Sequence, residues 1–431
     1  MRDRQNVDDR TSILLIPHMV LPVPAIKGGA ILQLITSLIE QNERYNKLDL
    51  HVITKEDEDA EKFCYKNTCL YRYNPDTKSS KQYKFFGICY KLYDFLYRIF
   101  NTRLTSKIFK KRRHISAHGY FSYLVAKEVK PQIIVLDAGK IEGIDLLTKL
   151  VGDDNVFFHI HHEIIGDENF EKGIKNSISI SEYVKKKWIN GQATTGKHLV
   201  LLNGIPIDKF KRDNIHFERK KIRNDLGISS DEILCLFCGR IIKDKGVMEL
   251  LNAFDQIDNK KIKLLVIGSP LYSTSTTSQY CEDVIGKIKN NPNIQYLGFI
   301  PNEEMPKYYA AADMQIVPSI WQEGAGLVTI EGMASGLPLI ITESGGMVEY
   351  VTKDCSLQVP IDEQLPKNLA SAIMKLAGNP ELREEMGRNG IKRAELFSEE
   401  KYYENFVALI EDVQTKILSK QEEDKINANN T

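Results

Sequence analysis

The chain has 431 residues, with 58 basic and 58 acidic side chains, so its formal net charge is zero. Its length predicts two or three domains, and an apolar content of 42% is enough to build their cores. No apolar run reaches the roughly 18 residues that a membrane-spanning helix needs, which excludes an integral membrane protein of that kind. The neutral total disfavours a nucleic-acid partner, and we expect none. The polar start and the seven scattered cysteines are typical of a cytoplasmic protein.

Short apolar runs alternate with helix-like periods along the chain. Most runs are continuous and rich in β-branched residues, which is typical of strands buried on both faces of a parallel sheet. Strands are predicted at 12–18, 49–54, 132–137, 156–162, 177–181 and 198–202 in the first half, and at 233–239, 263–269, 294–299, 314–319, 338–342 and 356–360 in the second. The alternation predicts an α/β chain with two doubly wound, Rossmann-like domains that join near 203–210.

A glycine pair follows the first predicted strand. Gly28 and Gly29 precede a helix whose apolar face includes Ile31, Leu34 and Leu38. Glycines at this point let a ligand approach the backbone, and the free N–H groups of a helix start attract anions. Because many loops contain two glycines, the pair alone does not define a site.

Residues 78–113 stand out by composition. They hold 11 basic residues and one acidic residue, a net charge of +10, with nine aromatic residues interleaved. This segment dominates a charge asymmetry, since residues 1–205 carry +7 and residues 206–431 carry −7. Two interpretations stay open: a helix that packs its aromatic side chains on the core with a solvated basic face, or a contact with an anionic membrane surface.

Three histidines stand at the end of the predicted strand 156–162. His159 and His161 share a strand face, and Glu163 follows His161 in an H-x-E pattern. Such a group indicates a metal site or a catalytic site. Because no matching Cys or His set is evident elsewhere, we expect no metal here.

The stretch 239–246 (GRIIKDKG) follows a buried strand and precedes a helix. Arg240 and Lys245 thus stand at the carboxyl end of that strand, where doubly wound sheets bind their ligands. Two cations beside a helix start suit a phosphate group. Two solvated surface cations would give the same pattern.

The stretch 314–350 holds the densest chemistry. A predicted strand is followed by Glu323, Gly324 and Gly326, and then by a helix that contains Glu331. The glycines would let a diphosphate reach the N–H groups of the helix start. Two carboxylates eight positions apart can line one cleft at different depths and accept hydrogen bonds from vicinal hydroxyls. A solvated Glu331 is the alternative.

Together these motifs resemble the retaining glycosyltransferases of family 4, which have the GT-B fold of two Rossmann-like domains facing each other across a cleft. The resemblance rests on the E-x7-E pair Glu323 and Glu331, on the G-R-x4-K-G pattern at 239–246, and on Gly345, Gly346 and Glu349 of a Gly-Gly-x-x-Glu signature. The N-terminal glycine loop is especially similar to glycosyltransferases of bacterial surface-polysaccharide and spore-coat operons.

The resemblance implies a role for each candidate residue. The implied catalytic residues are His161, Glu323, Arg240 and Lys245, with His162 as the alternative to His161. The implied donor-binding residues are Gly28, Gly29, Gly326, Leu327, Val328 and Glu331. The two cations would neutralise the diphosphate of a nucleotide sugar, Glu331 would hold its ribose, Glu323 would contact its sugar, and His161 would lie near the anomeric carbon.

The resemblance also implies an organisation of the chain. Residues 1–205 would bind the acceptor and 206–395 the nucleotide sugar, while 396–431 would form a helix packing back on the first domain, followed by a polar tail.

The implied activity is transfer of a sugar with retention, without metal or cofactor, from a nucleotide sugar. A UDP-hexose or UDP-N-acetylhexosamine is the expected donor, and a saccharide or lipid-linked saccharide of surface polysaccharide biosynthesis is the expected acceptor. The expected location is the cytoplasm, including the inner face of the cell membrane. A non-catalytic GT-B scaffold of a polysaccharide complex, or a GT-B sugar-nucleotide epimerase, is the alternative.

Overall fold

The computed structural model describes residues 10–18, 21–74, 117–137, 144–163, 174–190, 196–211, 216–270 and 278–429. The basic and aromatic stretch 78–113 lies outside these ranges, so the two interpretations offered for it stay predictions.

The described residues of the first half form seven strands: β1 (Thr11–Pro17), β2 (Leu48–Lys55), β3 (Thr68–Tyr73), β4 (Ile133–Asp137), β5 (Val156–Ile160), β6 (Asn176–Ser179) and β7 (His198–Val200). They form one parallel sheet in the order β3-β2-β1-β4-β5-β6-β7. The central strands are buried over nearly their whole length, which explains their continuous apolar sequences. The edge strand β3 has no predicted counterpart, because its partly exposed sequence TCLYRY mixes polar and apolar residues.

Helices cover both faces of this sheet. They are α1 (Ala30–Tyr45), α2 (Ala117–Val129), α3 (Ile144–Val151) and α4 (Glu182–Asn190). The apolar face of α1 packs on one side, through Leu34, Ile35 and Leu38. The other three helices pack on the opposite side, where Trp188 of α4 lies against Phe158 of β5.

In the second half, the part of the chain that the structure describes has six strands: β8 (Ile233–Cys238), β9 (Ile262–Ile267), β10 (Ile294–Gly298), β11 (Met314–Val317), β12 (Leu339–Thr342) and β13 (Ser356–Val359). They form a second parallel sheet in the order β10-β9-β8-β11-β12-β13. In both sheets the strand order reverses beside the first strand, between β1 and β4 and between β8 and β11. Ligands of such sheets bind outside the carboxyl ends of the strands at this reversal.

The helices of the second half are α5 (His216–Asp225), α6 (Val247–Phe254), α7 (Gln279–Lys289), α8 (Met305–Ala311), α9 (Leu327–Ala334), α10 (Met347–Tyr350), α11 (Leu365–Ala377), α12 (Pro380–Ala394) and α13 (Glu399–Asn429). The long helix α13 leaves this half, and its Tyr402, Phe406 and Ile410 join the core of the first sheet beside α1. The prediction of two doubly wound parallel sheets is confirmed. The boundaries at 205 and 395 stay predictions. Within the described ranges, no helix is long and apolar enough to cross a membrane.

Candidate functional site

A cleft lies between the two halves, at the carboxyl ends of their strands. It encloses about 360 Å³ and is lined from the first half by the start of α1 and by the loop after β5. From the second half it is lined by the loops after β8 and β11 and by the start of α9. A volume of this size is within the range of small-molecule sites.

The structure brings half of the predicted site residues to this cleft. The lining includes His161, Arg240, Lys245, Glu323 and Leu327. It also includes His162, so both candidate histidines are present. The predicted residues that do not line it are Gly28, Gly29, Gly326, Val328 and Glu331. Gly29 directly precedes the lining residue Ala30, and Gly326 directly precedes Leu327, so these glycines border the cleft along the chain.

Lys245 and Glu323 form an ion pair between the loops that follow β8 and β11. Lys245 Nζ donates to Glu323 Oε1 at 2.5 Å, and Ser319 Oγ donates to the same oxygen at 2.5 Å. The two side chains are 24% and 15% exposed, so solvent screens the pair only in part. The Arg240 side chain lies nearby at the exposed rim. An anion that enters the cleft would therefore meet two cations, one of them already neutralised by a carboxylate.

The Gly-Gly-x-x-Glu signature holds the loop that carries Glu323. The Gly346 N–H donates to the Glu323 carbonyl at 2.6 Å. A Cβ atom would lie 2.3 Å from the Glu323 carbonyl oxygen if added to Gly345, and 2.3 Å from the Gly324 carbonyl oxygen if added to Gly346. Only glycine allows this close approach of two backbones, so the signature acts by positioning Glu323 rather than by lining the cleft.

Glu349 of the same signature joins the two halves. Its Oε2 accepts a hydrogen bond from the Glu182 N–H at 2.7 Å, and its Oε1 accepts one from the Tyr183 N–H at 2.8 Å. N–H groups in the first turn of a helix have no acceptor within the helix, and the helix dipole favours a negative charge beside them. Beside them, Ser181 Oγ donates to the Gly324 carbonyl at 2.8 Å. The glutamate thus caps a helix of the opposite half.

His161 is held by a carboxylate that the sequence analysis does not assign to the site. Asp137 ends β4 and pairs with His159 of β5 in the parallel register. Because His161 lies two residues further on the same face, its Nε2 also reaches Asp137, and the two side chains are hydrogen-bonded. His159 Nδ1 lies 3.3 Å from the same carboxylate oxygen. An acidic residue at the end of a strand beside the histidine strand is the signal that could have indicated Asp137.

The electrostatics of this group follow from its burial. Burial raises the pKa of the Asp137 carboxyl, but the two imidazoles outweigh burial and hold that pKa well below its usual value. Burial and the neighbouring His159 lower the pKa of His161. A neutral His161 that donates through Nε2 keeps a free lone pair on Nδ1, which can accept a hydrogen bond from a hydroxyl.

Asp137, His159 and His161 are also the one group of the described residues whose ligand atoms could hold a metal ion, since those atoms lie within 4.8 Å of one another. Two imidazoles and a carboxylate suit a divalent cation such as zinc. In the structure, the Asp137 carboxylate accepts hydrogen bonds from the imidazoles of His159 and His161. The expectation that no metal takes part stays a prediction.

Glu331 lies on α9 and is not among the residues that line the cleft. Tyr309 Oη donates to its Oε2 at 2.6 Å, and the same hydroxyl contacts the Cys238 thiol at the end of β8. Burial raises the pKa of Glu331 to about 7, although the hydrogen bond from Tyr309 lowers it. Glu331 is therefore not the solvated helix residue of the alternative interpretation. Tyr309 is a partner that no motif indicates.

Comparison with known proteins gives a family match over part of the chain. Residues 218–393 match the model of the family described as "Glycosyl transferases group 1". The capsular polysaccharide biosynthesis glycosyltransferase CapM of Staphylococcus aureus is 31% identical over 225 residues, which are 51% of this chain and 56% of that protein. Spore coat protein SA of Bacillus subtilis is 28% identical over 198 residues, 45% of this chain and 52% of that protein. The chain thus aligns with about half the length of each relative.

A solved structure extends the similarity to the whole fold. Anabaena Alr3699/HepE, crystallised in complex with UDP and glucose, superimposes with a TM-score of 0.66. The match covers 93% of this chain and 100% of that chain at 16% identity, so it concerns the fold alone. The predicted GT-B fold is confirmed by this likeness together with the two sheets. Through residues 218–393, the chain is similar to the group 1 glycosyltransferases.

Proposed function

We propose that the chain is a retaining glycosyltransferase. It transfers a hexose or an N-acetylhexosamine from a UDP-sugar to a saccharide or a lipid-linked saccharide in surface polysaccharide biosynthesis. The carrying observation is the cleft itself, in which His161 of the first half faces Arg240, Lys245 and Glu323 of the second. The name of CapM and the UDP and glucose bound to the Anabaena protein support the same class of activity.

The chemistry that we propose places the leaving diphosphate on Arg240, Lys245 and the N–H groups at the start of α9. Charge develops on this diphosphate as the bond to the sugar breaks, and fixed cations and helix-end dipoles stabilise it without reorganisation. When the donor binds, the ion pair of Lys245 with Glu323 would weaken and Lys245 would contact the phosphate. The lone pair of His161 Nδ1 would accept a hydroxyl of the donor sugar or of the acceptor.

Glu331 would complete the donor site from below. Its carboxylate accepts one hydrogen bond, from Tyr309, and has further lone pairs for the two ribose hydroxyls. The glycine loop before α1 would contact the phosphates from the opposite half. No step of this scheme requires a metal or another cofactor.

The test is a panel of UDP-, GDP- and dTDP-sugars, examined by thermal shift of the whole chain and by release of the nucleoside diphosphate. We expect one UDP-sugar to stabilise the protein and to be turned over, with the anomeric configuration of the product, read by NMR, equal to that of the donor. A chain that binds and hydrolyses none of these donors would refute the proposal, and an inverted product would refute retention. Interconversion of two free UDP-sugars would instead identify an epimerase.

The location and the membrane contact belong to the same proposal. A lipid-linked acceptor lies at a membrane surface, and the segment 78–113 carries the charge and the aromatic residues that such a surface attracts. We therefore propose that the protein works at the inner face of the cell membrane.

A further inference from the structure

Trp321 is the most exposed large apolar side chain of the described ranges, with 58% of its surface accessible. It lines the outer part of the cleft, two residues before Glu323. The other tryptophan of the chain, Trp188, is 1% exposed. Single exposed apolar side chains are ordinary on protein surfaces, so exposure alone assigns no role to Trp321. Its position and the way its backbone is held do so.

The backbone at Trp321 is anchored by two neighbouring loops. The N–H groups of Ile320 and Trp321 both donate to the Asp244 carbonyl, at 2.9 and 3.1 Å. On the other side, Ser344 Oγ donates to the Trp321 carbonyl at 2.5 Å. The Cα atom is therefore held in place, and only the two side-chain torsions remain to be ordered when a ligand binds. A large ring presented in this way offers contact area at a low entropic cost.

The cleft has an inner and an outer part. The inner part holds the buried side chain of His161 and the half-buried side chains of Lys245 and Glu323, and the proposed function places the donor diphosphate against Lys245. The outer part holds exposed residues: His162, Arg240, Asp244, Trp321 and Gln322. With the donor in the inner part, a second substrate must reach the reacting carbon from the solvent side, past Trp321.

We propose that Trp321 is a stacking platform for a sugar ring of the acceptor. This inference rests on the proposed function and adds an acceptor subsite on the second half of the chain. One face of a pyranose consists of C–H groups, which are attracted to the negative face of the indole ring. The hydroxyls at the edge of the same sugar can reach the exposed side chains of Asp244 and His162, which also line the cleft.

Intrinsic fluorescence gives a direct readout, because Trp188 is shielded and iodide can quench only Trp321. The probes are the methyl glycosides of glucose, galactose, mannose, rhamnose and N-acetylglucosamine, each added to the whole chain with and without UDP. We expect at least one glycoside to reduce quenching of Trp321 in the presence of UDP, since a stacked ring covers the indole.

Binding of the protecting glycoside is then compared among variants by saturation-transfer NMR. Trp321→Ala should weaken binding about tenfold, while Trp321→Phe, which keeps a ring, should stay within about threefold of the wild type. The matched control is Phe299→Ala, which removes an aromatic side chain that is 47% exposed but does not line the cleft. This control should bind the glycoside as the wild type does.

Two results would overturn the inference. Protection of Trp321 by UDP alone, with no further effect of any glycoside, would make the indole a platform for the nucleotide base. Absence of protection by the whole panel, or unchanged glycoside binding by Trp321→Ala, would remove the sugar subsite. Turnover of a UDP-sugar by the same preparation would show in either case that the proposed function stands without it.

Discussion

Lys245 is the lysine of the G-R-x4-K-G motif at 239–246, and its charged side chain lines the cleft. It faces Glu323 at 2.5 Å and lies where the proposed reaction develops negative charge on the diphosphate. We expect Lys245→Ala to remove about 2–4 kcal/mol of transition-state stabilisation, which lowers kcat/KM by a factor of roughly 30 to 1,000. Steady-state kinetics with the UDP-sugar identified by the panel measure this. Lys243→Ala, an exposed cation of the same short turn that does not line the cleft, is the control. Turnover near that of the wild type would remove Lys245 from the mechanism.

Glu331 should make donor binding depend on pH. With a pKa of about 7, it is mainly protonated one unit below that value and mainly ionised one unit above it. Only the ionised carboxylate accepts hydrogen bonds from both ribose hydroxyls, so the affinity for the UDP-sugar should rise as the pH passes upward through about 7. Calorimetry should find that Glu331→Gln binds the donor more weakly and without this rise. An identical pH profile in the variant would contradict the assignment.

The raised pKa of Glu331 also predicts how the stability of the fold changes with pH. The pKa of Glu331 is raised from an ordinary value of 4.5, so the native state holds this proton more tightly than the unfolded state does. Its contribution to stability is therefore fully present below about pH 4.5 and is lost as the pH rises towards 7. Unfolding midpoints of the wild type and of Glu331→Gln should diverge across this window.

Asp137 is expected to act through His161 as a positioning residue. In Asp137→Asn the shape is kept, but the charge that orients the imidazole is lost. We expect kcat to fall at least about tenfold with little change in the donor KM, because the free lone pair of His161 is no longer directed. The ¹⁵N shifts of His161 should show a proton on Nε2 in the wild type and a changed tautomer in the variant. An unchanged tautomer would leave Asp137 with a role in folding only.

At the scale of elements, the contact between α10 and the start of α4 sets how the halves meet. Glu349 accepts two N–H groups of the first turn of α4, and Tyr350 Oη donates to the Ile180 carbonyl at 2.8 Å. All three bonds join segments that are more than 160 residues apart in the chain. The contact between the two halves therefore depends on a helix cap.

Removal of this cap should lower stability. We expect Glu349→Ala to cost about 1 kcal/mol, the usual value of a lost N-terminal cap, and to raise the donor KM because the halves are held less firmly. Urea unfolding measures the first effect and steady-state kinetics the second. Glu363→Ala, which removes an exposed carboxylate elsewhere in the second half, should change neither. Equal behaviour of the two variants would contradict the role of Glu349.

At the scale of the whole molecule, zero net charge conceals a basic first half. The segment 78–113 alone carries +10. We expect vesicles with anionic lipid to retain the protein, and retention to fall as salt rises, because salt screens charges beyond about 10 Å at 0.1 M. Replacement of Lys110, Lys111, Arg112 and Arg113 by Gln should weaken this retention. Equal retention on neutral vesicles would show that the segment does not act through its charge.

The sequence by itself determined the elements and the motifs. Twelve strands could be predicted because continuous apolar runs are a local property, and the cations and glutamates of the second half could be assigned because short motifs act over a few residues. Tertiary structure decided the pairings: Asp137 with His161, Tyr309 with Glu331, and Glu349 with the start of α4. Each joins groups from different elements. Strand order, register and the meeting of the two halves bring them together, and no local pattern of residues encodes such distances.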